Sequence, residues 1–275
     1  MKKTLYVSDL DGTLLSPAPE ITVHTAEVIN SLIDEGMNFT FATARSIYSA
    51  IPITRRLDIS VPCILMNGVS IYDIRNGRYL KTEFIPPEAS AQVLRAFEEH
   101  NVRCFMYKLE DEVLGCYFSE ITTKVMRSFA ESRRNDYKKP FTQCARLADI
   151  ADGDTVYFTT TGPHDVLYPI KCAIEGIKGV DHAFYLDIYN GEWYLEAFSE
   201  NASKYNGINF LREHFGFDEV VAFGDNLNDL SMFRAADVKI AVGNAKEELK
   251  AAADIVIGKN DSDGVAEWLS SAYNK

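Results

Sequence analysis

The chain has 275 residues, with 28 Lys+Arg against 40 Asp+Glu and a formal net charge of −12. Hydrophobic residues make up 47% and charged residues 25%, with only 16 Gly and 9 Pro, which excludes a collagen, a disordered tail and a coiled coil. The acidic balance argues against nucleic acid and anionic membrane as partners, since both reward clustered Lys and Arg. An anionic small molecule stays open as a partner, provided a local positive centre receives it.

The length suits one large or two modest domains with a sizeable core. Cys63, Cys104, Cys116, Cys144 and Cys172 form an odd set with no C-x-x-C pair, so reduced thiols in a cytoplasmic protein are the simplest expectation. Met1-Lys2-Lys3 opens like a signal peptide, but Asp9 and Asp11 break the apolar segment that should follow. No apolar run approaches the ~18 residues that a membrane span needs. Oligomeric state is not legible.

The first eighty residues alternate strand and helix. Leu5–Ser8 reads as a buried strand ending at Asp9. Thr22 can cap a helix with Val23, Ala26, Ile29, Leu32 and Ile33 on its apolar face, and Gly36 supplies the stop. Met37–Ala42 is a second strand, Ser46–Leu57 a helix interrupted by Pro52, and Cys63–Met66 a third strand. This order predicts a doubly wound, Rossmann-like α/β core with a parallel sheet. Ligands of such sheets bind beyond the carboxyl ends of the strands, so Asp9, Thr43 and Asn67 should face one crevice.

The rhythm changes next. Val69–Ile74 and Arg78–Glu83 flank Asn76-Gly77, a tight-hairpin signal, and Pro86-Pro87 follows. Glu88–His100, Ile121–Arg134 and Pro163–Ile174 read as helices, and Val102–Tyr107, Val113–Phe118 and Thr155–Thr160 as strands. Ala183–Tyr189 and Glu192–Phe198 flank a second hairpin at Asn190-Gly191. These elements predict an inserted α+β cap over 84–195 carrying an antiparallel sheet, with the core discontinuous over 1–83 and 196–275. Tyr185, Tyr189, Trp193 and Tyr194 stand near the second hairpin, where aromatic strand residues usually pack. From Ala202 the alternation resumes: helix to Phe215, strand Glu219–Phe223, helix Leu227–Ala236, strand Val238–Val242, helix Ala245–Ala252 and a short strand Ile255-Val256.

Four segments carry chemistry. Asp9-Leu10-Asp11-Gly12-Thr13 places two carboxylates just past a strand, with Gly12 easing the turn. An Asx-type turn is the bland explanation. An EF-hand loop fails because Leu14 stands where its Gly is needed. Gly224-Asp225-Asn226-Leu227-Asn228-Asp229 follows a second apolar strand, and helix capping accounts for one of its polar residues but not for Asp225, Asn228 and Asp229 together. Hard oxygen ligands from two strand ends suit Mg²⁺. Thr43 lies past the second strand, where its hydroxyl can hold a phosphate oxygen or merely cap a turn. Lys204 opens a helix, a position the helix dipole disfavours and an anionic partner would explain.

Taken in order, these segments resemble the haloacid dehalogenase-like superfamily of aspartate-nucleophile phosphatases, in its Cof-type branch with an α+β cap. Asp9-Leu10-Asp11-Gly12-Thr13-Leu14 matches the first motif, Thr43 the second, Lys204 the third, and Gly224-Asp225-x-x-Asn228-Asp229 the fourth. The resemblance implies Asp9 as nucleophile forming an aspartyl-phosphate and Asp11 as acid and base. It implies Mg²⁺ held by the Asp9 carboxylate, the Asp11 backbone carbonyl and the Asp225 carboxylate. Thr43 and Lys204 would hold phosphoryl oxygens, with Asn228 steadying the phosphate or the loop and Asp229 orienting Lys204 or a metal-bound water. The substrate implied is a small phosphorylated metabolite, a sugar phosphate first. Two departures stand out: Ala44 where the family has Gly between Thr and Arg, and Tyr205 after the motif Lys. Arg45, Asn67 and Gly68 are candidate substrate contacts, with a surface charge and a simple turn as the alternatives. A phosphomutase of the same fold and a non-catalytic phospho-acceptor remain open beside the phosphatase.

Overall fold

In the computed structural model, which describes residues 2–186 and 191–273, the chain begins with β1 (Thr4–Ser8). Leu5 and Val7 are fully buried, as a strand in the middle of a sheet requires. Thr22 Oγ1 accepts the backbone N–H of Thr25 at the start of α1 (Val23–Asp34), whose Ala26, Ile29 and Leu32 face the core. β2 (Asn38–Phe41) and α2 (Ile47–Thr54) follow, the helix carrying Pro52 inside it. β3 (Cys63–Leu65), β4 (Ser70–Asp73) and β5 (Arg78–Thr82) complete the N-terminal segment.

The inserted segment runs through α3 (Pro87–Glu99), β6 (Phe105–Glu110), β7 (Val113–Phe118), α4 (Lys124–Tyr137), β8 (Phe141–Gln143), β9 (Thr155–Gly162), α5 (His164–Ile174), β10 (Val180–Leu186) and β11 (Trp193–Ser199). The chain then returns through α6 (Lys204–Phe215), β12 (Glu219–Gly224), α7 (Leu230–Ala235), β13 (Val238–Ala241), α8 (Glu247–Ala252), β14 (Ile255–Val256) and α9 (Gly264–Ala272). Residues 1–81 and 203–275 form one unit, and 82–202 a second. The boundary expected after residue 195 falls inside β11, which belongs to the second unit's sheet through Ser199.

Among the described residues, the first unit carries a parallel sheet in the order β14-β13-β12-β1-β2. β1 pairs with β12 on one side and β2 on the other, so strands from the two ends of the chain lie side by side. Its core joins Leu5, Val7, Phe39, Phe41, Val220, Phe223 and Leu269. The third predicted strand departs from expectation. β3 continues the parallel sheet only through the bridge Ala42–Ile64 and otherwise pairs antiparallel with β4. The turn between them reverses the chain at once, with Met66, Asn67 and Gly68 all at positive φ.

The second unit's sheet has the order β10-β11-β9-β6-β7-β8. It is antiparallel except for β7 and β8, which run parallel. Val93 and Phe97 of α3 and Leu167 and Ile170 of α5 pack on Met106, Phe158 and Leu195 of the sheet. Tyr185 stacks on Tyr194 at 5.7 Å, and Trp193 on Phe184 at 4.6 Å. Tyr189 and Asn190 lie outside the described residues. All five cysteines are free. No helix among the described residues is long and apolar enough to cross a membrane.

Candidate active site

Three strand ends of the first unit deliver the predicted groups. Asp9 follows β1, and its backbone N–H donates to Phe223 O of β12 at 2.9 Å, which ties the first motif to the strand that leads into the fourth. The chain then leaves the extended form at Gly12, φ +77°, and a Cβ there would stand 2.4 Å from Asp225 Oδ2. Glycine at 12 therefore lets the first loop close onto the carboxylate of the fourth motif. Thr13 Oγ1 donates to Asp225 Oδ1 at 3.2 Å.

Lys204 stands at the first position of α6, behind the cap Ser203, whose side chain accepts from Asn206 N. Its side chain is 1% exposed, and its ammonium donates to Asp9 Oδ1 at 2.6 Å and to Asp229 Oδ1 at 2.7 Å. Two carboxylates thus explain a lysine placed against the helix dipole. Gly68 positions this helix start: at φ +103°, a Cβ on it would meet Ser203 O at 2.2 Å. The structure accordingly gives Gly68 a packing role at Ser203.

Asp229 is fully buried and fully used. Its Oδ1 holds Lys204, while its Oδ2 accepts the backbone N–H groups of Asp225 and Asn226 at 3.0 and 3.1 Å. With Asn226 as the cap, this is a reciprocal capping box. Capping therefore accounts for one oxygen of Asp229, and the lysine for the other. Asn228 is different. It stands exposed in the same turn and accepts from Ser231 Oγ through its backbone carbonyl.

Thr43 is 1% exposed. Its Oγ1 accepts the backbone N–H of Arg45 at 3.1 Å, which leaves the hydroxyl proton to be donated. Its carbonyl accepts from Asn67 N, so the second and third strand ends are joined there. The Asn67 amide oxygen is buried without a hydrogen bond among the described residues. Arg45 proves to be neither a loose surface charge nor an isolated group: its Nε and a terminal N–H donate to the two oxygens of Asp11, both at 2.7 Å. Such parallel, charge-assisted bonds fix a carboxylate's plane as well as its position.

The electrostatics follow from burial. Desolvation pushes the Asp9 carboxyl well above the usual range; Lys204 opposes that shift, and Asp229 and Asp225 reinforce it. Burial works against the Lys204 charge, but Asp229 and Asp9 outweigh it and hold the ammonium above the ordinary lysine range. Burial, then Asp229, raises Asp225 to about 6. Carboxylate oxygens of Asp9, Asp225 and Asp229 lie within 4.8 Å of one another. Asp229 is spent on Lys204 and two amides, so Asp9 and Asp225 remain with one shared cation between three acids. A hard divalent cation fits this excess of carboxylate oxygen, and the absence of thiol or imidazole in the set suits Mg²⁺ chemistry. A 670 Å³ cavity in the second unit, lined by Phe97, Arg103, Glu120 and Arg146 among others, includes none of these residues.

The haloacid dehalogenase-like hydrolase family, compared as a whole, matches residues 6–269 of this chain. The chain belongs to that family. Several of its curated relatives over nearly the whole chain are named phosphatases. Pyridoxal phosphate phosphatase YbhA of Escherichia coli is 28% identical, across 98% of this chain and 99% of the relative. HMP-PP phosphatase of Serratia proteamaculans is 27% identical, across 98% and 96%. The crystal structure of TM0651 from Thermotoga maritima superposes with a TM-score of 0.81 at 27% identity, covering 98% of this chain and 97% of the other.

Sequence reasoning named Arg45 and Asp11 separately and missed their pairing. It also missed Asn244. That side chain, just past β13, donates to Gly12 O at 2.7 Å. The signal was available: Asn244 lies three residues beyond the carboxyl end of a parallel strand, on the same side of the sheet's strands as Asp9, Thr43 and Asp225, which follow theirs by one or two.

Proposed function

We propose that this hydrolase is a Mg²⁺-dependent phosphomonoesterase for small phosphorylated metabolites, in which the phosphoryl group passes through Asp9. The observation that carries the reading is the buried Lys204 ammonium held between Asp9 and Asp229. An Asp9 oxygen attacks phosphorus as the bond to the ester oxygen breaks, and Asp11 gives the departing alcohol its proton. Asp11 then takes a proton from a water, whose oxygen attacks the same phosphorus. Inorganic phosphate leaves and the Asp9 carboxylate returns. Lys204 and the Thr43 hydroxyl hold phosphoryl oxygens during both steps. Arg45 keeps the Asp11 carboxylate in one plane through its two bonds, and Asn67 offers an amide to the substrate. Mg²⁺, held by the Asp9 and Asp225 carboxylates and the Asp11 carbonyl, would cancel charge on the transferring group.

Sugar phosphates are the first substrate class, and the relative named for pyridoxal phosphate adds a phosphorylated heterocycle as the second. The test is phosphate release from a panel of both, with and without Mg²⁺, by wild type and Asp9→Asn. The wild type should turn over only with the cation. The variant should fold as judged by circular dichroism yet release no phosphate above background. Wild-type turnover by Asp9→Asn would remove Asp9 from the mechanism, and isomerisation without phosphate release would make the protein a mutase.

A further inference from the structure

Two loops carry the carboxylates of the site, one after β1 and one after β12, and a third loop is bonded to both. This is the segment 242–246, between β13 and α8. Val242 N donates to Gly224 O at 3.2 Å and Lys246 N donates to Asp225 O at 2.8 Å, which secures the loop to the fourth motif. From the same loop, Asn244 Nδ2 reaches the first motif and donates to Gly12 O at 2.7 Å. The Asn244 amide is itself held, because its Oδ1 accepts Asn260 N at 3.0 Å. Asn260 closes the circuit by donating from Nδ2 to Leu15 O, at the far end of the first motif's loop, at 2.9 Å.

We infer that the Asn244–Asn260 amide pair is a clasp that sets the separation between the Asp9–Asp11 loop and the Asp225 loop, and so the affinity for the divalent cation. Gly12 lies so close to Asp225 that a methyl group could not enter. The bond from Asn244 acts on the carbonyl of that same Gly12, one residue beyond Asp11. A hard cation tolerates little error in the placement of its oxygens, and Mg²⁺ tolerates least. Groups that orient a cation's ligands without touching it change affinity by about 10–100-fold when removed. Asn244 and Asn260 are therefore positioning residues. The inference rests on the proposed assignment of the cation to Asp9, Asp11 and Asp225.

The experiment measures Mn²⁺ affinity without substrate, by electron paramagnetic resonance, for wild type, Asn244→Ala, Asn260→Ala, the double variant and Asp225→Asn. The melting temperature in EDTA is recorded for each. Asn244→Ala and Asn260→Ala should each weaken Mn²⁺ binding about tenfold. The double variant should bind no more tightly than either single variant, because Asn244→Ala removes the bond to Gly12 and Asn260→Ala the separate bond to Leu15. If Asn244→Ala does not fold, Asn260→Ala carries the test. Wild-type Mn²⁺ affinity in the folded single variants, with only the melting temperature lowered, would reduce the clasp to a structural tie and overturn the inference. A wild type that binds no Mn²⁺, or an Asp225→Asn variant that binds it equally well, would instead overturn the cation site on which the inference stands.

Discussion

The Lys204 ammonium bonds both Asp9 and Asp229, and all three side chains are buried. Replacing Lys204 with Met keeps most of the side chain's length but strands two buried carboxylates. Breaking a buried ion pair from one side costs about 3–5 kcal/mol. Urea denaturation of Lys204→Met without added cation should show a loss of that order, and phosphate release should fall to background. A variant as stable as wild type would mean that Asp229's amide bonds suffice without the lysine. Lys204 was legible in the sequence because a lysine at a helix start opposes the dipole. Asp229 was legible because one cap cannot use three polar residues. The Arg45–Asp11 pair was not, since it depends on a turn after β2 that spacing does not specify.

At the scale of elements, strands with buried flanks and helices with clean caps were readable, and short or weakly patterned ones were not. β8 has three residues after Pro140, too few for alternation to register. α9 is preceded by Asp263, φ +52°, which accepts from Thr22 and Thr25 across 241 and 238 residues of sequence, and no side-chain cap hydrogen bond announces it. The third strand was legible as a strand but not in its pairing, because the Met66–Gly68 reversal dictates β4 as its partner. The segment leaving α4 hides a further group. Lys138 takes the left-handed conformation, and Lys139 behind it is 6% exposed with its ammonium 4.0 Å from the Tyr107 ring. Burial lowers Lys139 to about 8. The unfolded chain therefore holds a proton that the native state lacks between pH 8 and about 10.5, so this group makes stability rise with pH across that window. Below pH 8 both states are protonated and the native ammonium carries its full burial penalty. At about 1.4 kcal/mol per pKa unit the penalty is near 3 kcal/mol, and a desolvated cation–π contact returns about 2. Lys139→Met should thus gain on the order of 1 kcal/mol at pH 7 and flatten the rise between pH 8 and 10.5 in thermal melts. A destabilised variant with the slope intact would place the amine in contact with water.

At the scale of the whole molecule, the site exists only because the two ends of the chain meet. β1 and β12 register from Thr4–Glu219 to Ser8–Phe223, so Asp9 and Asp225 reach one place through a parallel pairing of strands some 215 residues apart. Chain order of the motifs conveyed this, whereas composition conveyed only an acidic surface with a need for a positive centre. The structure puts that need at the site itself, where three carboxylates cluster and one lysine pairs with two of them. A cation bound only by the native state stabilises it by about 2.7 kcal/mol at a hundredfold excess over its dissociation constant. Each kcal/mol is worth roughly 2–4 °C in a domain of 150–250 residues, so saturating Mg²⁺ should raise the melting temperature by several degrees. Asp225→Asn should melt higher than wild type in EDTA, since it relieves one uncompensated, partly buried charge while keeping an oxygen for Thr13. The same variant should gain almost nothing from Mg²⁺. Differential scanning calorimetry of the two proteins in EDTA and in Mg²⁺ gives four melting temperatures. If the wild type failed to respond to Mg²⁺, or Asp225→Asn responded equally, the excess charge would have to be balanced by some group other than a divalent cation.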